Sequence, residues 1–212
     1  MIQTCSGGFR RWAAVGLIGI FFGLAACAPA ITPATPTVVQ TVMRASQAAN
    51  TPSPDCANSI TPSQTEGPYY KANTPERSSL IEPGIAGTRV VLTGSVLTRD
   101  CRPIAGALLD FWQANDKGAY DNNGYTLRGH QFSDANGRYT LETILPGLYP
   151  GRTRHIHVKV QAPNQPVLTT QLYFPEERQN SADSIYDSRL LVTWQAPPNE
   201  KVALYNFVLN TK

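Results

Sequence analysis

The chain has 212 residues, of which 42% are hydrophobic and 16% charged, enough for one domain with a substantial core. Its formal charge is only +3 and no basic run occurs, which removes the electrostatic case for a nucleic-acid partner. There is no internal repeat and no long amphipathic helical pattern, so strand signals dominate.

Residues 1–26 read as a secretion signal. Arg10 and Arg11 precede an apolar run over residues 12–24, which is too short to span a membrane comfortably and ends in Leu24-Ala-Ala-Cys27. The small residues before Cys27 are similar to a bacterial lipoprotein cleavage site, in which the cysteine becomes the lipid-bearing first residue. A plain signal peptide cut near the same place is the alternative. Twin-arginine export matches poorly, because Phe9 precedes the pair and Ala13 follows Trp12. Cleavage removes Arg10 and Arg11 and no acidic residue, so the charge falls from +3 to +1. The expectation is a cell-envelope lipoprotein whose domain lies outside the cytoplasm and meets the membrane only through Cys27.

Residues 27–59 shift to Ala, Thr, Pro, Ser and Gln, with prolines at 29, 33, 36, 52 and 54. Such a segment buries little and reads as a tether. Of the four cysteines, Cys5 leaves with the signal and Cys27 takes the lipid. Cys56 and Cys101 are left as an even pair in an exported protein, which reads as a disulfide.

Residues 60–212 form the remaining domain. Strand patterns cover 89–97, 107–113, 127–132, 138–143, 155–162, 168–174, 190–194 and 202–209, separated by turn signals such as Asn122-Asn-Gly124 and Asp134-Ala-Asn-Gly137. Short strands at this spacing indicate a single all-β domain built as a β-sandwich.

The richest stretch is Leu145-Pro-Gly-Leu-Tyr-Pro-Gly-Arg-Thr-Arg-His-Ile-His157, which holds two of the three histidines. His155 and His157 open an apolar strand, and alternation places both imidazoles on one face, about 6 to 7 Å apart at Cα. Two such nitrogens can reach one metal ion, although a bare His-x-His is more often a pair of ordinary strand residues. The neighbours also have bland readings when each is taken alone. Tyr120 and Tyr149 read as loop aromatics, and Arg152 and Arg154 as solvated charges at a strand entrance, with Arg154 the more solvated. Gln171, on the next strand, reads as a buried structural amide.

Taken together, Thr61-Pro-Ser-Gln-Thr-Glu-Gly-Pro-Tyr-Tyr70, the run from Asp110 to Tyr120, Leu127-Arg-Gly129, the two tyrosines with His-x-His, and Gln171-Leu-Tyr-Phe-Pro175 resemble the intradiol ring-cleavage dioxygenases. These are the catechol 1,2- and protocatechuate 3,4-dioxygenase type of non-haem ferric enzyme. The resemblance covers most of residues 60–212 and implies a transthyretin- or prealbumin-like sandwich. It implies one Fe(III) per chain, held by Tyr120, Tyr149, His155 and His157, and it maps the family's catalytic arginine and glutamine to Arg152 and Gln171. Tyr149 matches the tyrosine that leaves the metal when substrate binds and takes up a proton. Pro68 and Tyr69 match lining residues, and His130 has no ligand counterpart and reads as structural.

The implied reaction is cleavage of a catechol-type ring between its hydroxyl-bearing carbons by O2, giving a muconate-type diacid. Phenolate and imidazole donors suit a hard ferric ion. The chain has no room for the helical dimerisation region of catechol 1,2-dioxygenases and is similar to compact exported members; its oligomeric state stays open. Two rivals stand beside this reading: a surface-anchored sandwich that binds without iron, and a zinc hydrolase, against which the tyrosines speak.

Overall fold

Strand β5, His155–Gln161, shows how the domain divides its chemistry between two faces. Ile156, Val158 and Val160 are fully buried in the core, while His155, His157 and Lys159 alternate onto the opposite face. The computed structural model describes residues 56–195 and 201–212, which belong to a compact unit running from Ala49 to Lys212. The expected secretion signal, Cys27 and nearly all of the expected tether lie outside the described residues.

The other strands are β1 (Arg89–Leu97), β2 (Leu108–Gln113), β3 (Arg128–Phe132), β4 (Arg138–Ile144), β6 (Leu168–Tyr173), β7 (Thr193–Gln195), β8 (Lys201–Leu204) and β9 (Phe207–Val208). One sheet is antiparallel in the order β3-β2-β5-β6. The other is mixed, in the order β4-β1-β8-β7, with β9 also on β1 and the β1 pairings to β8 and β9 parallel. The fold is therefore essentially all-β, with two sheets consistent with a sandwich. Among the described residues the only helical turns are the 3-10 segments Arg178–Ser181 and Ser188–Leu190, and no helix is long and apolar enough to cross a membrane. Leu92, Leu141, Leu109, Phe111, Val158 and Leu172 lie at the centre of the core, each fully buried. Every such side chain contributes about 1.5 to 3 kcal/mol relative to exposure.

Two strand expectations need correction. The run at 190–194 begins as the end of a 3-10 turn, because the Asp187 side chain accepts from the Arg189 N–H and closes that turn. It then crosses between sheets: the Val192 N–H donates to the Tyr173 carbonyl of β6, whereas Thr193 pairs with Leu204 of β8. The run at 202–209 is two strands, interrupted where the Asn206 side chain takes the Ser95 N–H at 2.9 Å in place of a backbone carbonyl.

The outer face of the β3-β2-β5-β6 sheet is covered by the irregular segment at residues 61–77. It is tied to β6 by the Gln64 N–H on the Thr169 carbonyl and to β3 by reciprocal bonds of Arg77 and Pro75 with His130. Cys56, bonded to Cys101 in the turn after β1, anchors its start. This strap makes the histidine-bearing face an enclosed layer rather than a solvated one.

Candidate metal centre

Register brings the chemistry into one layer. His157 pairs with Trp112 of β2 and Gln171 of β6, and His155 pairs with Tyr173, so all five side chains share the strap-covered face. Trp112 lies parallel to the His157 imidazole at 4.8 Å between centroids. Gly67 of the strap lies over the same ring in a left-handed conformation (φ 71°), where a Cβ would come within 3.3 Å of His157 Cε1. A side chain there would strain the backbone and crowd the imidazole.

Tyr120 reaches this layer from a loop held by two side-chain-built turns. Asn115 Oδ1 accepts the Lys117 and Ala119 N–H groups, and the Asp121 carboxylate accepts those of Asn123, Gly124 and Thr126. Tyr149 comes from a second loop that packs backbone to backbone on the first. A Cβ on Gly118 would lie 2.0 Å from the Leu148 carbonyl oxygen and one on Gly147 2.3 Å from Gly118 N, so only glycine permits the approach.

The result is a chain of close polar contacts. The Nε2 atoms of His155 and His157 are 3.1 Å apart, and the Tyr120 hydroxyl is 3.2 Å from His155 Nε2. The Tyr149 hydroxyl is 3.0 Å from that of Tyr69, whose ring stacks on Tyr120 at 4.5 Å. His155 Nδ1–H donates to the Thr153 carbonyl at 2.7 Å, which leaves Nε2 as the nitrogen with the lone pair. Burial lowers the His155 pKa to about 4, and burial and then His155 hold His157 well below the usual histidine value. Both imidazoles are therefore neutral near pH 7. Burial pushes the Tyr120 phenol well up, opposed by Arg152 and Arg128.

These residues fit a metal ion better than they fit a closed hydrogen-bond network. The single lone pair on His155 Nε2 is approached by both Tyr120 and His157, and it can accept from only one. Around a cation each donor supplies its own lone pair, and two nitrogens bound at right angles to one ion stand about 3 Å apart. The buried His157 Nδ1 has no hydrogen-bond partner among the described residues. No group of three or more His, Cys, Asp and Glu is present among them; the further oxygen donor beside the two imidazoles is the Tyr120 hydroxyl.

Arg152 stands beside this cluster. Its Nε donates to Asp183 Oδ2 at 2.8 Å and its Nη2 to Gln171 Oε1 at 2.6 Å, and Gln171 Nε2 in turn donates to the Thr65 carbonyl of the strap. Tyr69 thus sits in the cluster, whereas Pro68 is exposed at the turn before it. Arg154 departs from its expected solvated state. It is paired with Glu177 at 2.8 Å and donates to the Pro146 carbonyl, because the turn after β6 folds back over the entrance to β5. His130 bonds through Nδ1 to the Thr74 carbonyl at 2.8 Å and fastens the strap rather than joining the cluster.

The family model described as Dioxygenase matches residues 65–210. The chain belongs to the intradiol-type ring-cleavage dioxygenases. Hydroxyquinol 1,2-dioxygenase of Rhizobium sp. (strain MTP-10005) is 29% identical over 57% of this chain and 50% of its own. The chain spans about half the length of such curated relatives. Among solved structures, the dioxygenase domain of a dioxygenase and carbohydrate-binding protein fusion from Streptomyces sp. SirexAA-E is 51% identical, with a TM-score of 0.70 over 72% of this chain and 99% of that one. The 3-chlorocatechol 1,2-dioxygenase of Rhodococcus opacus 1CP is 28% identical, with a TM-score of 0.66 over 74% and 75%.

The chain also recruits residues to which the sequence reading gave no individual role. Arg128 is almost fully buried, donates to the Tyr69 and Asp121 carbonyls, and lies 6.0 Å from the Tyr120 ring. It knits the strap to the Tyr120 loop. Trp112 was findable in principle, since alternation along β2 places it with Asp110 opposite the core positions Leu109 and Phe111. Asp183 carried no sequence signal, lying in a polar loop far along the chain from Arg152.

Proposed function

We propose that the protein is a non-haem Fe(III) dioxygenase that cleaves a catechol-type ring between its two hydroxyl-bearing carbons with O2, yielding a muconate-type diacid. The observation that carries this reading is that His155 Nε2 has both His157 Nε2, at 3.1 Å, and the Tyr120 hydroxyl, at 3.2 Å, beside it, with Tyr149 on the adjoining loop. Tyr120, Tyr149, His155 and His157 would hold one ferric ion per chain, which would supply Lewis acidity toward a diol substrate.

The side chains around it have separable tasks. Tyr149 takes up a diol proton at its phenol oxygen, and Tyr69, 3.0 Å away, holds the protonated phenol. Arg152 presents a fixed positive charge to negative charge growing on the ring, and Gln171 supports its guanidinium. Trp112, Tyr69 and the strap exclude water, which strengthens those electrostatic effects.

The same proposal takes the two sheets as a transthyretin-like sandwich, supported by the packed inner faces. It also takes the protein as exported and tethered through Cys27. Uptake of about one O2 per catechol, with a ring-opened diacid as product, tests the reaction. Colourless protein after ferric reconstitution, with no oxygen uptake, would favour the binding-module alternative. Loss of membrane fractionation in Cys27→Ala tests the anchor.

A further inference from the structure

We propose that Asp183 is the positioning residue that aims Arg152 at the substrate ring, an inference that rests on the role given to Arg152 above. An arginine side chain is long, and a single hydrogen bond leaves its guanidinium free to pivot. Here the grip falls on two different nitrogens: Asp183 Oδ2 takes Nε at 2.8 Å and Gln171 Oε1 takes Nη2 at 2.6 Å, with the Tyr173 hydroxyl a longer acceptor for the same Nη2 at 3.5 Å. That fixes the plane of the group and leaves Nη1 as the nitrogen without a protein partner among the described residues.

Asp183 can hold this orientation because it is itself immobilised. Its side chain is 1% exposed. Oδ2 also accepts the Thr153 N–H at 3.0 Å, and Oδ1 accepts the Ile185 N–H at 3.1 Å. Burial acts to raise its pKa, and the Thr153 N–H and the Arg152 guanidinium outweigh that, so the carboxylate stays ionised. The neighbouring Asn180 accepts from the Thr153 hydroxyl at 2.7 Å and donates to the Phe174 carbonyl, which braces the same loop against the entrance of β5. The loop after β6 thus determines where the arginine points, although it contributes nothing to the cluster of tyrosines and histidines.

Gln171 alone would not suffice. Its amide is fixed by the Thr65 carbonyl, and its oxygen also accepts from the Tyr173 hydroxyl at 3.2 Å. It offers the guanidinium one shared acceptor and no charge. Removing Asp183 leaves an arginine held only through Nη2, by the neutral Gln171 amide and, at 3.5 Å, the Tyr173 hydroxyl, with no carboxylate to fix its plane.

The test is a double-mutant cycle in the full-length, iron-loaded chain. Asp183→Asn is expected to lower kcat about 10- to 100-fold, the scale on which partners of functional side chains act. KM for catechol, iron content and the visible band should change far less. In an Arg152→Ala background the same substitution should have no further effect on kcat, because Asp183 acts only through the arginine. Losses that multiply would overturn the proposal, as would an undiminished kcat.

A crystal structure of Asp183→Asn gives a readout independent of turnover. The Arg152 guanidinium is expected to leave Gln171 Oε1, and one that keeps that bond and its orientation refutes the positioning role even if the wild type proves inactive on catechols. Wild-type inactivity by itself counts against the reaction proposed above. Should the asparagine variant not fold, Asp183→Glu is read in the same way, since the longer carboxylate displaces the guanidinium while keeping its charge.

Discussion

His155 and His157 hold their Nε2 atoms 3.1 Å apart on the outer face of β5. That separation is a consequence of alternation along one strand, and the Thr153 carbonyl adds the correct tautomer for His155. The isolated protein should be red to burgundy through phenolate-to-iron charge transfer, with about one iron per chain. His157→Ala should lose both metal and colour, as read by elemental analysis and visible absorbance. Full iron retention in that variant would place the metal elsewhere.

The two tyrosines should behave differently. Tyr120 is anchored by the Asn115 and Asp121 turns and lies 3.2 Å from His155 Nε2, whereas the Tyr149 hydroxyl is engaged with Tyr69. Tyr149→Phe is expected to keep part of the iron, with a weakened and shifted band and poor turnover, while Tyr120→Phe loses iron more severely. The reverse ranking in metal content would show that Tyr149 is the indispensable ligand.

Arg152→Ala should retain iron and colour yet lose about 2.7 to 4 kcal/mol of transition-state stabilisation, the scale of one preorganised charge stabiliser. Arg154→Ala is a different experiment, because Arg154 ties the entrance of β5 to Glu177 and Pro146. It should cost stability, about 1 to 3 kcal/mol, and little activity. Steady-state oxygen uptake and urea unfolding on both variants separate the two effects.

Cys56 and Cys101, 45 residues apart, close a loop that contains the whole strap and β1. On chain-entropy grounds that closure is worth about 4 kcal/mol. Reduction, or Cys56→Ser, should lower stability by that order and loosen the strap over His157. Unfolding midpoints with and without reductant that coincide would contradict this.

Asp183 also makes stability depend on pH. Its native pKa is depressed, burial being outweighed by the Thr153 N–H, Arg152 and the Ile185 N–H. A depressed carboxylate stabilises the fold above the unfolded aspartate value of about 3.9, and that contribution fades as pH falls through the native pKa. Asp183→Asn should therefore cost about 1.5 to 3 kcal/mol at pH 7. The gap from wild type should narrow toward pH 3 in denaturant titrations. A gap of constant size would mean that the carboxylate charge is irrelevant.

Much of this was legible in the residue order because it depends on local rules. The strands from residue 89 to 174 follow from alternation and turn residues, and the same-face placement of His155 and His157 follows from the period of two. Where side chains intervene in the backbone ladder, pattern reading fails. Asn206 substitutes its amide for a carbonyl and splits one strand, and Asp187 closes a turn that delays another.

The sequence by itself determined the strand-rich class, the two-faced character of β5 and the resemblance carried by the two tyrosines, Arg152, His155, His157 and Gln171. Only the tertiary structure decided which other residues share their layer. The strap at 61–77 has almost no regular structure, so no periodicity announces that it covers the sheet. Asp183 reaches Arg152 across 31 positions, and Arg128 reaches the Tyr69 carbonyl across 59. Such contacts are set by sheet register and loop packing, which act in space between residues that have no local relation along the chain.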